Sequence, residues 1–475
     1  MKKILAMLLC LCMILAVVAG CAAQKTEPAA EQQGETAQPS AEPAATGEKQ
    51  TLTFTYLDQS GAENVEDGWI YRWAMDTYEK WDKKDSVELE LVPYVGAEGD
   101  YFTKMSLELG DESTAPDIFY EDSFQMTADA AAGYLAPLDD YAAGWETWNN
   151  GSMIEATKGA VTGMDGKTYG VPLSTDSRGI WVNKDILVQA GLDADWQPAT
   201  WAELLDGCRA IKEACPDVIP FWYTCEETSE GTSMNTFEMV LYGTDDHMYD
   251  EAAQKWNIRS SDMLDALKFF QTTVDEGLTG SVSEITSSNA LNYAGQYMME
   301  GKLAMFLTST AIGNAFFAEG AAFEWDGWEN TLNLISMPTR DGDKSGVTMS
   351  GGYVWSVSQY AEDKAVAFDF IAAMMDNVEQ VAQYMITTGQ LPTVDISAAE
   401  SYAKFSERPF AVTSAKFLEN AQYRPHSDKY SEVSTYLSQM ANSVVCGTSP
   451  EDALETYTQN VIRIVGEENT QDLSK

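Results

Sequence analysis

The chain has 475 residues, too many for one ordinary core and enough for two or three domains of roughly 100–200 residues each. Hydrophobic residues make up 45% and aromatics 11%, which excludes wholesale disorder, while 29 Lys and Arg against 74 Asp and Glu give a net charge of −45 that repels phosphate backbones and anionic lipid heads. Nucleic acid is thereby disfavoured as a partner, and two histidines, His247 and His426, cannot supply a multi-histidine metal site and give a His-based triad little to work with.

Lys2 and Lys3 precede an apolar run from Ile4 to Val18, followed by the small residues Ala19 and Gly20 and then Cys21, which is the order of a secretory signal. The run is shorter than the ~20 residues a spanning helix needs. Val18-Ala-Gly-Cys21 resembles the bacterial lipobox, which implies a signal at 1–20, cleavage before Cys21, and a lipid on that residue. The protein would then sit on the extracellular or periplasmic side of a cell membrane, held by its lipid alone. From Ala22 to Gln50 there is no Val, Ile, Leu, Met or aromatic residue, so burial cannot offset the entropy of ordering and 21–50 reads as a lipidated Cys and a flexible tether. Cys208, Cys215, Cys225 and Cys446 remain; they read as buried free thiols, with one bridge among the first three as the alternative.

Thr51 to Leu57 alternates as a strand, Asp67 to Lys84 carries Ile70, Trp73, Ala74 and Trp81 at helical spacing, and Val87 to Val92 is a second strand. A helix over Tyr101 to Leu109 and a strand at Asp117 to Tyr120 complete a β-α-β-α-β series, the pattern of a parallel sheet whose ligands sit at the strands' carboxyl ends. A second series begins with a strand at Gly179 to Val182. Thr200 and Glu203 form a capping box that opens a helix to about Glu213, and Val218 to Tyr223 is another strand. Further helices are predicted at Ser261 to Glu276, Ala290 to Glu300, Glu362 to Asp376 and Ser449 to Val465.

Eight phrases then occur in a recognisable order: Ala115-Pro-Asp-Ile-Phe119, Gly133-Tyr-Leu-Ala-Pro-Leu-Asp139, Asp165-Gly-Lys-Thr-Tyr-Gly-Val-Pro172, Ile180-Trp-Val-Asn-Lys-Asp185, Thr200-Trp201, Gly301-Lys-Leu-Ala-Met305, Gly351-Gly352 and Gly389-Gln-Leu-Pro392. Together they resemble the extracellular solute-binding proteins of ABC importers, in the carbohydrate-binding branch that includes maltodextrin-binding proteins. The resemblance implies a periplasmic-binding-protein-like α/β fold of two lobes, each a mainly parallel sheet flanked by helices, joined by three hinge crossings. It places the crossings after Pro172, near 304–306 and near 357–361. Lobe one becomes 51–172 plus 306–358, and lobe two 173–305 plus 359–475. It also implies a monomeric receptor that passes a small solute, a sugar or oligosaccharide, to ABC permease subunits without catalysis or a cofactor. Other small polar solutes, a surface glycosidase and an adhesive lipoprotein are the alternatives.

Tyr and Trp together outnumber Phe by 35 to 17, which suits sugar faces as well as half-buried packing. The loops after the first and third strands bring forward Asp58 and the run Tyr120, Glu121 and Asp122, with Asp122 as contact or as helix N-cap. Asp176 and Arg178, beyond the first crossing, read as ligands or as a structural ion pair. Trp222 or Tyr223 ends a strand where the family stacks an aromatic, although alternation allows only one to face the solute. Ser309 and Thr310 stand where relatives carry a Gly-Pro-Trp-like phrase, so a stacking wall is missing there, and either the hydroxyls hydrogen-bond in its place or the ligand is smaller or not a glucan. Tyr353 or Trp355, after two glycines, can reach the cleft, and Arg424 and Tyr430 match a segment that lies near the site in relatives. No P-loop, dinucleotide fingerprint or nucleophile elbow occurs, and Asp341 to Gly346 reads as a polar turn rather than a calcium loop.

Overall fold

Strand Gln50–Leu57 puts Leu52, Phe54 and Tyr56 on one side and Thr55 and Leu57 on the other, all buried, because the strand is central and covered on both faces. The computed structural model describes residues 49–474 except Lys344; the signal, Cys21 and nearly all of the tether lie outside them. Gln50–Leu57 pairs in parallel with Val87–Tyr94 and Ile118–Asp122. The five-stranded sheet is completed by Tyr353–Val357, which runs antiparallel to both Ile118–Asp122 and Gly170–Pro172. A second sheet has the order Leu332–Ile335, Arg178–Asn183, Leu303–Ser309, Ile219–Trp222, and only its last pair is parallel.

Each sheet anchors its own core, so the α/β body is two-lobed, with mixed rather than mainly parallel sheets. The mixing follows from the crossings. A strand entering from the other lobe starts at the cleft end and runs away from it, as Arg178–Asn183 and Tyr353–Val357 do, whereas the strands built within a lobe run toward the cleft.

The cores correct the expected lobe boundaries. Phe306, Leu307, Leu332, Leu334 and Met349 pack with the second sheet, while Ala361, Phe368, Phe370, Met385 and Ile396 pack with the first. Residues 306–349 therefore belong to lobe two and 359–399 to lobe one. Leu303–Ser309 lies unbroken in the middle of the second sheet, where a hinge would break its ladders on both sides. The second crossing instead lies at Ser350 to Gly352, and the third between Arg408, which donates to the Met385 carbonyl, and Phe410, whose ring meets Trp181 and Trp328.

Helices form where the periodicity places them. Trp69–Lys80 buries Ile70, Trp73, Ala74 and Thr77, Trp201–Ala214 is capped by Thr200, and Pro450–Val465 is capped by Ser449. The bridge allowed among Cys208, Cys215 and Cys225 does not form; those three and Cys446 are free thiols, with Cys208 and Cys225 buried. No helix among the described residues is long and apolar enough to cross a membrane.

Candidate functional site

The first sheet aims the carboxyl ends of its strands, Tyr353–Val357 excepted, at the second lobe, and Asp122 is the last residue of the third. Its Oδ1 accepts the Phe124 amide at 3.1 Å, capping helix Ser123–Ala131, and lies 3.3 Å from Nη1 of Arg424. Asp122 is therefore the N-cap that one sequence reading gave, and it also faces the other lobe. Arg424 belongs to lobe two, since Ala421–Gln422 pairs with Thr348–Met349. Its guanidinium grips Glu230 through Nε at 2.8 Å and Nη2 at 3.2 Å and donates to Ser123 Oγ at 3.2 Å. One lobe-two cation thus ties its own carboxylate to two side chains of lobe one.

Glu230 opens a helical run that continues through a π turn at Ser233–Phe237 into Glu238–Leu241. The wide turn lets Glu230 and Glu238 both reach Tyr430, whose hydroxyl lies 2.8 Å from the first and 3.2 Å from the second. Burial pushes the Glu230 carboxyl up, but Arg424 and the Tyr430 hydroxyl outweigh it and leave the pKa below the ordinary value. Glu238 has no such guanidinium contact, so burial and the neighbouring Glu230 charge raise it to about 8. On lobe one, burial followed by Asp122 raises Glu98 to about 7, and burial, eased by Arg424, raises Asp122 to about 6. Tyr353 donates to Glu98 at 2.8 Å and stacks on Tyr120 at 4.6 Å.

A cavity of about 430 Å³ opens between the lobes. Glu98, Phe102, Asp122, Phe124 and Gln125 form one wall, and Thr228, Ser229, Glu230, Gly231, Ser431 and Ser434 the other. A larger depression, about 540 Å³, lies beside Trp81 and Lys83 at the amino ends of the first sheet's strands, away from both crossings and cleft. The smaller cavity is the better candidate because both lobes build it.

Several expected contacts lie elsewhere. Trp222 and Tyr223 are both fully buried in the second core: Trp222 packs on Gly280 and Tyr297, and the Tyr223 hydroxyl meets Thr273 Oγ1 at 2.7 Å. Helices cover both faces of that strand, so neither side of its alternation is free. Trp355 is wedged among Phe54, Trp73 and Tyr120 in the first core, and Tyr120 itself is buried there. Glu121 points away from Asp122 and accepts from Ser356 inside the lobe. Asp58 is buried in a local turn that accepts the Ser60 amide at 2.9 Å.

Others lie at or beside the crossings. Asp176 pairs with Arg178 and accepts the Gly351 amide at 3.0 Å, which is the structural ion-pair alternative. Thr310 meets Ser177 Oγ at 3.0 Å, and Ser309 holds Ala311 and the Trp181 indole. The candidates that reach the interlobe cluster are Asp122, Tyr353, Arg424 and Tyr430. Glu98, Phe124, Glu230 and Glu238 were not legible, because nothing local separates them from the many other acids and aromatics; Glu98 alone had a signal, as the first residue of the helix after the second strand.

Residues 55–381 match the family model described as bacterial extracellular solute-binding protein. A protein of Brucella abortus (strain 2308) named as a binding protein is 24% identical over 322 residues, 68% of this chain and 72% of that one. Among solved structures, maltose-bound MalE3 of T. maritima superposes with a TM-score of 0.71 at 20% identity, covering 87% of this chain and 100% of the other. An ABC transporter solute-binding protein of Thermotoga lettingae TMO, bound with α-D-tagatose, gives 0.70 at 20%, covering 88% and 100%. At these identities the superpositions establish the fold.

Proposed function

The chain belongs to the bacterial extracellular solute-binding protein family, and from that premise we propose that it is a lipid-anchored receptor that binds a sugar, oligosaccharide or similar small polar solute between its lobes and delivers it to an ABC permease. The observation that carries this reading is the cluster in which Asp122 and Ser123 of one lobe meet Arg424 and Glu230 of the other beside a cavity walled by both. A solute seated there touches both lobes and lowers the free energy of the closed form relative to the open one, which is the thermodynamic basis of a closing receptor. The maltose and tagatose held by two structural neighbours support the carbohydrate class. Binding rather than chemistry is the role that the family supports, since its members are described as solute-binding proteins. The lipid on Cys21 would place the monomer outside the cytoplasm beside its permease.

A calorimetric screen of the mature protein against monosaccharides, oligosaccharides, polyols and their amine and phosphate derivatives tests this. At least one should bind and raise the melting temperature, as mass action requires of a native-state ligand. A screen without any binder would defeat the reading. Release of intact oligosaccharide with no hydrolysis separates receptor from glycosidase, and a Cys21→Ala protein should appear in the soluble fraction if the anchor is real.

A further inference from the structure

The charges on the cavity wall are all of one sign. Among the described residues, Glu98, Asp122 and Glu230 line it, and no Lys, Arg or His does. Arg424 stands behind the wall with its guanidinium shared among Glu230, Ser123 and, at 3.3 Å, Asp122, so one positive charge serves two carboxylates and is in ion-pair contact with neither oxygen of Glu98. Arg178, the other guanidinium nearby, is bound to Asp176 and to Asn235 Oδ1 at 2.7 Å. Behind Glu230 lies Glu238, fully buried, with one carboxylate oxygen lacking a hydrogen-bond partner. The surrounding elements thus bring five carboxylates, Glu98, Asp122, Asp176, Glu230 and Glu238, against two guanidiniums. Tyr353 and Tyr430 add only hydroxyl donors, to Glu98 and to Glu230 and Glu238.

The rest of the wall is hydroxylic on both sides, with Thr103 and Ser106 facing Ser229, Ser431 and Ser434, and the aromatic rings on it, among the described residues, are Phe102 and Phe124. Of the rings expected to stack a glucan, Tyr120, Trp222, Tyr223 and Trp355 lie inside the lobes, and Tyr353, which reaches the cluster, stacks on Tyr120 and commits its hydroxyl to Glu98. A neutral solute enclosed here leaves Glu98 and Asp122 as like charges in a dry site. An ammonium group supplies the missing charge and three donors.

Resting on the receptor reading above, we infer that the solute carries a cationic amine on a small hydroxylated skeleton, and that Glu98 and Asp122 receive the amine. The hydroxyls of both walls hold the skeleton, and closure brings the two carboxylates onto one positive charge. Such a site weakens on acidification, since protonating either carboxylate removes the partner of the amine. Glu98 and Asp122 titrate at about 7 and about 6, inside the range where an alkylamine stays charged.

Isothermal titration of the mature protein with matched pairs tests the inference: glucamine against sorbitol, and galactosamine against galactose. The amine of at least one pair should bind at least roughly tenfold tighter than its neutral partner near pH 8, and the preference should shrink toward unity near about pH 5.5. Glu98→Gln and Asp122→Asn should each remove most of the preference; Asn keeps the helix cap, so the second variant stays folded. A neutral partner that binds as tightly as the amine, or an amine preference unmoved by both substitutions, overturns the inference and leaves the receptor standing. No binding by any sugar, polyol or amine overturns both.

Discussion

Glu238 shows how a single residue reports on the interlobe cluster. Its carboxyl is fully buried, raised to about 8 by burial and by Glu230, and unrelieved by direct contact with either nearby guanidinium. The folded protein therefore binds a proton on Glu238 between the ordinary carboxylate range and about pH 8, where the unfolded chain does not. Stability from this group is greatest below the unfolded pKa and falls as pH rises through the folded one. Melting temperature should decline by a few degrees between about pH 5 and pH 8.5, and Glu238→Gln should flatten that decline. Equal slopes in variant and wild type would show that the remaining acids, not Glu238, set the trend. Asp122 was legible beforehand because it ends a strand pointing at the cleft, a position set by topology. Glu98, Glu230 and Glu238 were not, since a carboxylate among 74 acids acquires meaning only when folding brings it to Tyr353, Arg424 or Tyr430.

Among the elements, the crossings carry the tightest constraints. Gly352 sits at φ +143°, and a Cβ there would lie 1.9 Å from the Ser174 carbonyl oxygen, because the first and second crossings run against each other. The same segment is laced by side chains: Thr175 Oγ1 meets Ser350 Oγ and the Gly351 carbonyl oxygen, each at 3.0 Å. Gly352→Ala must displace backbone and adopt a conformation that L residues rarely take, and should destabilise the protein by about 3 kcal/mol or more in denaturant titration. A loss within about 0.5 kcal/mol would mean that the crossings slide freely past each other. The glycine pair permits a close approach, of Gly352 to the neighbouring crossing and of Gly351 to Arg424. Local helices and strands were readable because their apolar spacing is local, as in Ile70, Trp73 and Ala74, with Trp81 buried just past the helix end. The second and third crossings were not. Whether Leu303–Ser309 continues one sheet or passes to the other depends on its partners at Trp181 and Phe221, which lie over eighty residues away.

At the scale of the whole molecule, charge and closure oppose each other. From residue 51 onward there are 25 Lys and Arg and 69 Asp and Glu, a net charge of −44. Exposed pairs such as Lys80 with Asp76, Arg209 with Glu276 and Lys302 with Glu300 are each worth about 0–1 kcal/mol, and salt weakens them. Salt also weakens the repulsion among the acids that have no cation to pair with. The screening length falls from about 30 Å at 0.01 M to about 8 Å at 0.15 M, which moves repulsion across a lobe from felt to screened while leaving a contact pair at about 3 Å partly intact. Repulsion, being long-ranged and unpaired, loses more than the pairs do. Added NaCl should therefore raise the melting temperature between about 0.01 and 0.3 M, and small-angle scattering should show a smaller radius of gyration as the lobes approach. A protein held mainly by its surface ion pairs would respond with the opposite sign, so a falling melting temperature over that range would locate its stability in those pairs.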